Sequence, residues 1–145
     1  MHITIVPDVV RNQEIVELPA GAMALQAAQV MVDRDTAAVV ILDASRRLIG
    51  IVTERDLTRR VLAPGRDPAS TPLDAIMTHN PDTLSPQDSV LDALELMSVR
   101  RYRHLPVVDN GKVVGMVSIR DLYAAVKAKL EEDIREAEAF AFGDR

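Results

Sequence analysis

Gly50-Ile51-Val52-Thr53-Glu54-Arg55-Asp56-Leu57 returns later in the chain as Gly115-Met116-Val117-Ser118-Ile119-Arg120-Asp121-Leu122. Both copies place glycine first, a hydroxyl residue fourth and Arg-Asp-Leu at the sixth to eighth positions. The apolar residues before the hydroxyl indicate the end of a buried strand, and the residues after it indicate the first turn of a helix. Such a junction places free backbone N–H groups beside a carboxylate.

The repetition extends over most of the chain. With a shift of 66, Leu18 aligns with Leu84 and Met31 with Met97, and the shift falls to 65 after the first hairpin turn. Each half has the pattern β-α-β-β-α, and Asn110-Gly111 marks the second hairpin turn. Neither half, at roughly 60 residues, buries much surface alone. We therefore predict an α/β (α+β) fold in which two repeats pack as one unit with pseudo-two-fold symmetry.

The segments have clear predicted boundaries. Residues 1–63 hold an N-terminal segment and the first repeat, 64–72 form a proline-rich linker, 73–128 hold the second repeat, and 129–145 extend the last helix. We predict a strand at Ile3–Val6, a helix at Glu54–Leu62 and a helix at Pro72–Met77. We also predict a strand at Asp82–Leu84, a helix from Ser85 and a last helix from Ile119 to about Phe140.

Composition excludes several classes of function. The 145 residues carry a net charge of −5, which argues against broad contact with nucleic acid or anionic membrane. There is no cysteine, hence no disulfide and no thiolate metal site. No secretory signal and no apolar run of about 18 residues is present, so we expect a cytoplasmic protein. The histidines lack metal-ligand spacing, and no catalytic motif occurs. We predict no metal, no catalytic residue and no enzyme activity.

The paired motifs resemble a tandem of CBS (cystathionine β-synthase type) domains, called a Bateman module. The resemblance covers about residues 15–128 and includes His104-Leu105-Pro106-Val107-Val108-Asp109 before Asn110-Gly111, and Ile76-Met77-Thr78. It implies a cleft for up to two adenosine-containing ligands, such as AMP, ADP, ATP or S-adenosylmethionine. It also implies a homodimer and a regulatory role in which the nucleotide is a ligand and no cofactor is required.

The resemblance further implies roles for individual residues. Asp56 and Asp121 would bind ribose hydroxyls, while Thr53 and Ser118 would face the ribose or phosphate at the helix starts. Phosphate candidates are Arg55, Arg120, Arg103 and His104. Adenine-pocket candidates are Val39, Ile51, Thr83, Leu105, Pro106 and Met116.

Both motifs have a second interpretation. Thr53-x-x-Asp56 and Ser118-x-x-Asp121 fit a capping box, in which the acid accepts the N–H of the cap residue. One residue can also cap the empty helix and bind ligand when it is present. Because Ala38-Val39-Val40 replaces His104-Leu105-Pro106 in the first repeat, we expect two similar sites with unequal affinity.

The leading hypothesis is a sensor of adenine nucleotides that signals to an unidentified protein partner. The first alternative is a dimeric interaction module without ligand, whose working surface is the apolar stripe of the last helix. The remote alternative is a nucleic-acid binder that uses Arg100, Arg101 and Arg103, which the net acidity disfavours. The sequence does not determine the phosphate count, the tighter site, the partner or the dimer geometry.

Overall fold

The computed structural model describes residues 2–142. Its elements follow the predicted order from Glu17 to Leu62 and from Val90 to the last helix, and they depart from it in the N-terminal segment and between the halves. They are α1 (Ile5–Asp8), β1 (Glu17–Pro19), α2 (Ala24–Asp33), β2 (Ala38–Leu42), β3 (Leu48–Thr53), α3 (Glu54–Leu57) with a π-helical continuation (Thr58–Leu62), a 3₁₀ turn (Leu73–Ala75), β4 (Thr78–His79), α4 (Val90–Arg100), β5 (His104–Asp109), β6 (Lys112–Ser118) and α5 (Ile119–Phe142).

The first half forms a four-stranded sheet in the order β1-β2-β3-β4. Strand β1 is parallel to β2, while the β2-β3 and β3-β4 pairs are antiparallel. All five residues of β2 are buried, as its β-branched and aliphatic composition predicts for a central strand. Helix α2 and the α3 segment contribute side chains to the same aliphatic core, so they cover one face of this sheet.

The second half repeats this plan with a shorter first strand. Strands β5 and β6 form a hairpin whose turn residues Asn110 and Gly111 both have positive φ, as a type I′ turn requires. Leu84 makes a single parallel bridge to Val107. This bridge matches the pairing of Leu18 with Ile41 in the first half. The internal repeat that the sequence predicts is therefore confirmed.

Each core includes a segment from the start of the other half. Ile3, Ile5 and Val10 lie in the core of the second half. Conversely, Leu73 and Met77, at the start of the second repeat, lie in the core of the first half. The side chains of Ile5 and Leu73 are both 0% exposed. The two halves therefore complete each other, and neither core is closed by its own repeat alone.

We call residues 3–10 and 71–77 the exchanged segments, because each packs into the core of the other half. Equivalent backbone hydrogen bonds hold both of them. In the first half, Ala24 N donates to Thr71 O and Leu73 N donates to Ala22 O, each at 2.8 Å. In the second half, Val90 N donates to Ile3 O and Ile5 N donates to Asp88 O, each at 2.9 Å. Ala24 and Val90 are 66 residues apart, as are Ala22 and Asp88, and 66 is the shift that aligns the two repeats. The exchange therefore follows the internal symmetry.

The first glycine of each motif allows this close approach. A β-carbon at Gly50 would collide with the Met77 side chain, and one at Gly115 would lie 2.8 Å from Val10 Cγ1. Both neighbours belong to the exchanged segments. The motif glycines thus serve packing between the halves, a role that the sequence did not suggest.

Several predicted boundaries are wrong in detail. Within Ile3–Val6 only Thr4 forms a bridge, and Ile5 already begins α1 because the segment turns to follow the second core. Pro72 is the N-cap of a 3₁₀ turn that ends at Ala75, not the first residue of a helix to Met77.

Later elements differ in the same way. The helix predicted from Ser85 begins at Val90, because Ser89 is its N-cap. The strand predicted at Asp82–Leu84 is reduced to the Leu84 bridge. The helix at Glu54–Leu62 changes to π geometry at Thr58, and the last helix extends to Phe142.

The exchange predicts that Ile5→Ala destabilises the whole unit, although Ile5 lies outside both repeats. Truncating a buried isoleucine costs about 2–5 kcal/mol of unfolding free energy. Urea unfolding of full-length protein measures this loss. Val99→Ala on α4, where the valine is 72% exposed, is the control and should change stability by less than about 0.5 kcal/mol. Equal small effects of both variants would contradict the exchange.

Candidate ligand-binding site

The first motif forms a complete capping box where β3 meets α3. Asp56 N donates to Thr53 Oγ1 at 3.2 Å, and Thr53 N donates to Asp56 Oδ2 at 2.9 Å. The Thr53 hydroxyl also donates to Asp56 Oδ2 at 3.2 Å. The capping interpretation is therefore confirmed for this motif.

The second motif forms the same box where β6 meets α5. Asp121 N donates to Ser118 Oγ at 3.1 Å, and Ser118 N donates to Asp121 Oδ2 at 2.9 Å. In both boxes the cap uses Oδ2 of the aspartate. The Oδ1 atoms form no hydrogen bond within residues 2–142, so each box leaves one carboxylate oxygen for another group.

The two aspartates differ in their surroundings. Asp56 is mostly buried, with a side chain 15% exposed, and its Oδ1 lies 3.8 Å from Arg60 Nε. Asp121 is exposed and forms no ion pair among the described residues. The two carboxylates thus differ in exposure and in charged neighbours, and the unequal affinity of the two sites stays a prediction.

His104 lies beside the second box. It pairs with Ser118 across the β5-β6 ladder and is half-buried. Burial lowers the pKa of His104 below its ordinary value of 6.5, and Arg103 acts in the same direction, while Asp121 and Glu54 oppose them. Glu54 belongs to the first repeat, so the carboxylates that act on His104 come from both helix starts.

The arginine candidates are exposed at the helix starts. Arg55 follows Thr53 in α3, Arg120 follows Ser118 in α5, and Arg103 immediately precedes β5. None of the three forms an ion pair within the part of the chain that the structure describes. They can therefore turn toward an anion without breaking an existing contact.

The adenine candidates divide between the two faces of each sheet. Val39 and Leu105 are 0% and 1% exposed, and both lie in the cores that the helices share. Ile51, Pro106 and Met116 lie on the opposite face, because successive strand residues alternate. Ile51 pairs with Val40, and Pro106 pairs with Met116 at the equivalent place.

The remaining adenine candidate, Thr83, lines a different cleft. This cleft has a volume of about 330 Å³ and contains no residue of either box. Its walls come from the first hairpin turn, the segment before α4 and the second hairpin turn. The lining residues are Arg47, Leu48, Asn80, Pro81, Thr83, Val108 and Gly111.

Two contacts near the boxes were not predicted from the sequence. Arg60 follows Asp56 by one helical turn, a spacing that could have indicated the pair. Gln13 accepts the N–H of Met116 at 2.6 Å through its side-chain oxygen. No local pattern indicates that contact, because 103 residues separate the partners.

The family is established by sequence. A sequence profile of the CBS domain matches residues 6–63 and 73–128. The chain belongs to the CBS domain family. A curated relative, the CBS domain-containing protein CBSCBSPB3 of Arabidopsis thaliana, is 34% identical over 132 residues, which is 90% of this chain. The match covers 24% of that relative, so the chain spans about a quarter of its length.

Solved structures share the fold. A CBS domain protein of Pyrobaculum aerophilum, solved in complex with AMP, is 30% identical and superposes with a TM-score of 0.74. The match covers 82% of this chain and 89% of that one. The CBS domain pair of protein MJ0100, in complex with 5′-methylthioadenosine and S-adenosyl-L-methionine, has 24% identity and a TM-score of 0.79. That match covers 89% and 99% of the two chains and bears on the fold alone.

Residues 2–142 contain neither a membrane-spanning helix nor a metal-binding cluster. No helix there combines the length and the apolar character needed to cross a bilayer. No cluster of three or more histidine, aspartate or glutamate side chains there could hold a metal ion.

The lowered pKa of His104 predicts that the free energy of unfolding depends on pH. Because its pKa is lowered in the folded state, unfolded chains bind more protons as pH falls below 6.5. The contribution of neutral His104 is therefore fully present above pH 6.5 and decreases as pH falls through the folded pKa. Urea unfolding between pH 7.5 and 5 should show a larger loss for wild type than for His104→Gln. Identical pH profiles would contradict this prediction.

Proposed function

We propose that this chain is a regulatory module that binds an adenine nucleotide beside the Ser118–Asp121 box and signals occupancy to a protein partner. The observation that carries the proposal is the free Oδ1 of an exposed aspartate at the start of a long helix. The AMP complex of the 30% identical relative supports the choice of ligand class.

A ribose diol suits the free oxygen of this carboxylate. Two neighbouring hydroxyls can donate to one carboxylate, and such charge-assisted hydrogen bonds are about twice as strong as neutral ones. Asp121 keeps its capping bond through Oδ2 during this contact. Capping and ribose binding therefore use different atoms and are compatible.

The surroundings of Asp121 suit a phosphate group as well. The N-terminus of α5 carries a partial positive charge, which favours an anion. Arg120, Arg103 and His104 lie near this helix start, and the two guanidinium groups are free to move. A bound phosphate would favour protonation of His104, so ligand binding would take up a proton near neutral pH.

Ligand binding would also influence both halves. Glu54, at the start of α3, acts on His104 at the start of β5. A nucleotide at the second box would therefore change the electrostatic environment of the first helix start. A ligand that prefers one relative arrangement of the halves shifts the population toward it. This is the basis we propose for a regulatory rather than an enzymatic role.

Asp121→Asn separates binding from capping. The asparagine oxygen can still accept the Ser118 N–H, so the box persists, but the free carboxylate oxygen is lost. We expect AMP or ATP affinity to fall roughly 10- to 100-fold, as loss of charge-assisted hydrogen bonds implies. Isothermal titration calorimetry of full-length protein measures this change, starting from micromolar binding.

Asp88→Asn is the matched control. Asp88 also accepts a backbone N–H, from Ser85 at 2.8 Å, but lies outside both motifs. It should leave nucleotide affinity unchanged. The proposal fails if AMP, ADP, ATP and S-adenosylmethionine all produce neither heat nor a rise in melting temperature with wild type.

A homodimer through α5 is the second function that we propose, and it is favoured by an exposed apolar stripe. Leu130 and Ile134 are 47% and 56% exposed. Residues 119–129 carry three bases and one acid, whereas residues 130–142 carry one base and five acids. An antiparallel pair of α5 helices, one from each copy, would place unlike charges together and cover the stripe.

Sedimentation analysis tests this dimer. Leu130→Ser combined with Ile134→Ser should convert a dimer into a monomer, while Leu62→Ser, which alters a leucine that is 65% exposed elsewhere, should not. A monomeric wild type, or a dimer that survives the double substitution, would contradict the antiparallel pair. Cytoplasmic location and the absence of nucleic-acid binding remain predictions from composition.

A further inference from the structure

Arg60 forms contacts that connect the first box to the exchanged segment. Its Nη1 donates to Ile76 O at 2.9 Å and to Met77 O at 3.3 Å. Its Nε lies 3.8 Å from Asp56 Oδ1. The guanidinium thus lies between the aspartate of the first motif and the backbone that precedes β4. These backbone contacts hold the guanidinium in place.

Both oxygens of the Asp56 carboxylate consequently face a partner, although only Oδ2 is hydrogen-bonded. Its Oδ2 accepts the N–H and the hydroxyl of Thr53, and its Oδ1 faces Arg60. The side chain is only 15% exposed. A ribose diol would have to compete with the guanidinium for Oδ1 and would find little open surface around it.

The second box lacks this cation. With the shift of 65 that aligns the two motifs, the counterpart of Arg60 is Ala125, which has no donor in its side chain. Asp121 is exposed, and its Oδ1 forms no ion pair with a described residue. The two boxes share the reciprocal backbone hydrogen bonds and differ in access to the second carboxylate oxygen.

We propose that Arg60 keeps the first box closed to nucleotide, so that the chain binds one adenosine-containing ligand, at Asp121. The proposal rests on the function proposed above. Arg60 acts as a specificity-determining residue because it selects which of two similar boxes accepts the ribose. Removing its side chain exposes Asp56 Oδ1 and creates a second site.

The test is the number of AMP molecules bound per chain, measured by calorimetry and by equilibrium dialysis on full-length protein. Wild type should bind one AMP, Asp56→Asn should still bind one, and Asp121→Asn should lose it. Arg60→Ala should bind two. The matched control is Arg59→Ala, which removes a neighbouring exposed arginine and should leave the number at one.

A second variant controls for the loss of the hydrogen bonds from Arg60 to the backbone. Arg60→Gln keeps an amide donor for the Ile76 carbonyl but removes the charge beside Asp56, and it should also bind two AMP. Melting temperatures establish that each variant is folded. If neither Arg60 variant folds, the proposal is still decided by Asp56→Asn and Asp121→Asn in the wild-type background.

The outcomes separate this proposal from the function on which it rests. Two AMP molecules on wild type, loss of the single site in Asp56→Asn, or one site in folded Arg60→Ala and Arg60→Gln each contradict the role of Arg60 alone. Absence of any binding of AMP or ATP by wild type contradicts the proposed function, and this inference with it.

Discussion

Two antiparallel backbone bridges, Thr4 with Ser89 and Met23 with Pro72, join each half of the chain to the segment that precedes the other half. Each bridge is followed at once by a fully buried side chain, Ile5 in one case and Leu73 in the other. Since a core of about 60 residues is marginal by itself, this exchange supplies apolar surface that each half lacks. The halves are therefore one folding unit.

The exchange also positions the two motifs. Gly50 and Gly115 lie against side chains of the exchanged segments, so these segments pack directly on the strands that end in Thr53 and Ser118. Each strand leads directly into a capped helix, which fixes the aspartate relative to the helix start. The same contacts that stabilise the cores thus place the two carboxylates.

Much of the fold was predictable because the responsible signals are local or repeated. The Asn110-Gly111 turn and the repeated motif are visible in the chain itself. The exchange was not predictable, because Ile5 and its neighbours contact residues more than 80 positions away. For the same reason the sequence does not show that Val39 and Leu105 lie on the helix side of their sheets: alternation shows that two faces exist, but not which face meets the helices.

The symmetry of the candidate site was predictable, and an asymmetry was expected from His104-Leu105-Pro106, but the contact that distinguishes the two carboxylates was not. Thr53-x-x-Asp56 and Ser118-x-x-Asp121 predict two capping boxes, and both boxes are present in the structure. Their difference comes from Arg60, whose partners on the 76–77 backbone become neighbours only after folding. The ordinary capping function and the proposed binding function are both carried by one side chain, because a carboxylate has two oxygens and the cap needs one.

The structure of the full-length protein crystallised with AMP tests the central claim most directly. The account predicts one nucleotide per chain, with its ribose hydroxyls on Asp121 Oδ1 while Ser118 N still donates to Oδ2, and with Arg60 still on the Ile76 carbonyl. A nucleotide bound instead at Asp56, or in the cleft lined by Asn80 and Thr83 with Asp121 unoccupied, would contradict it.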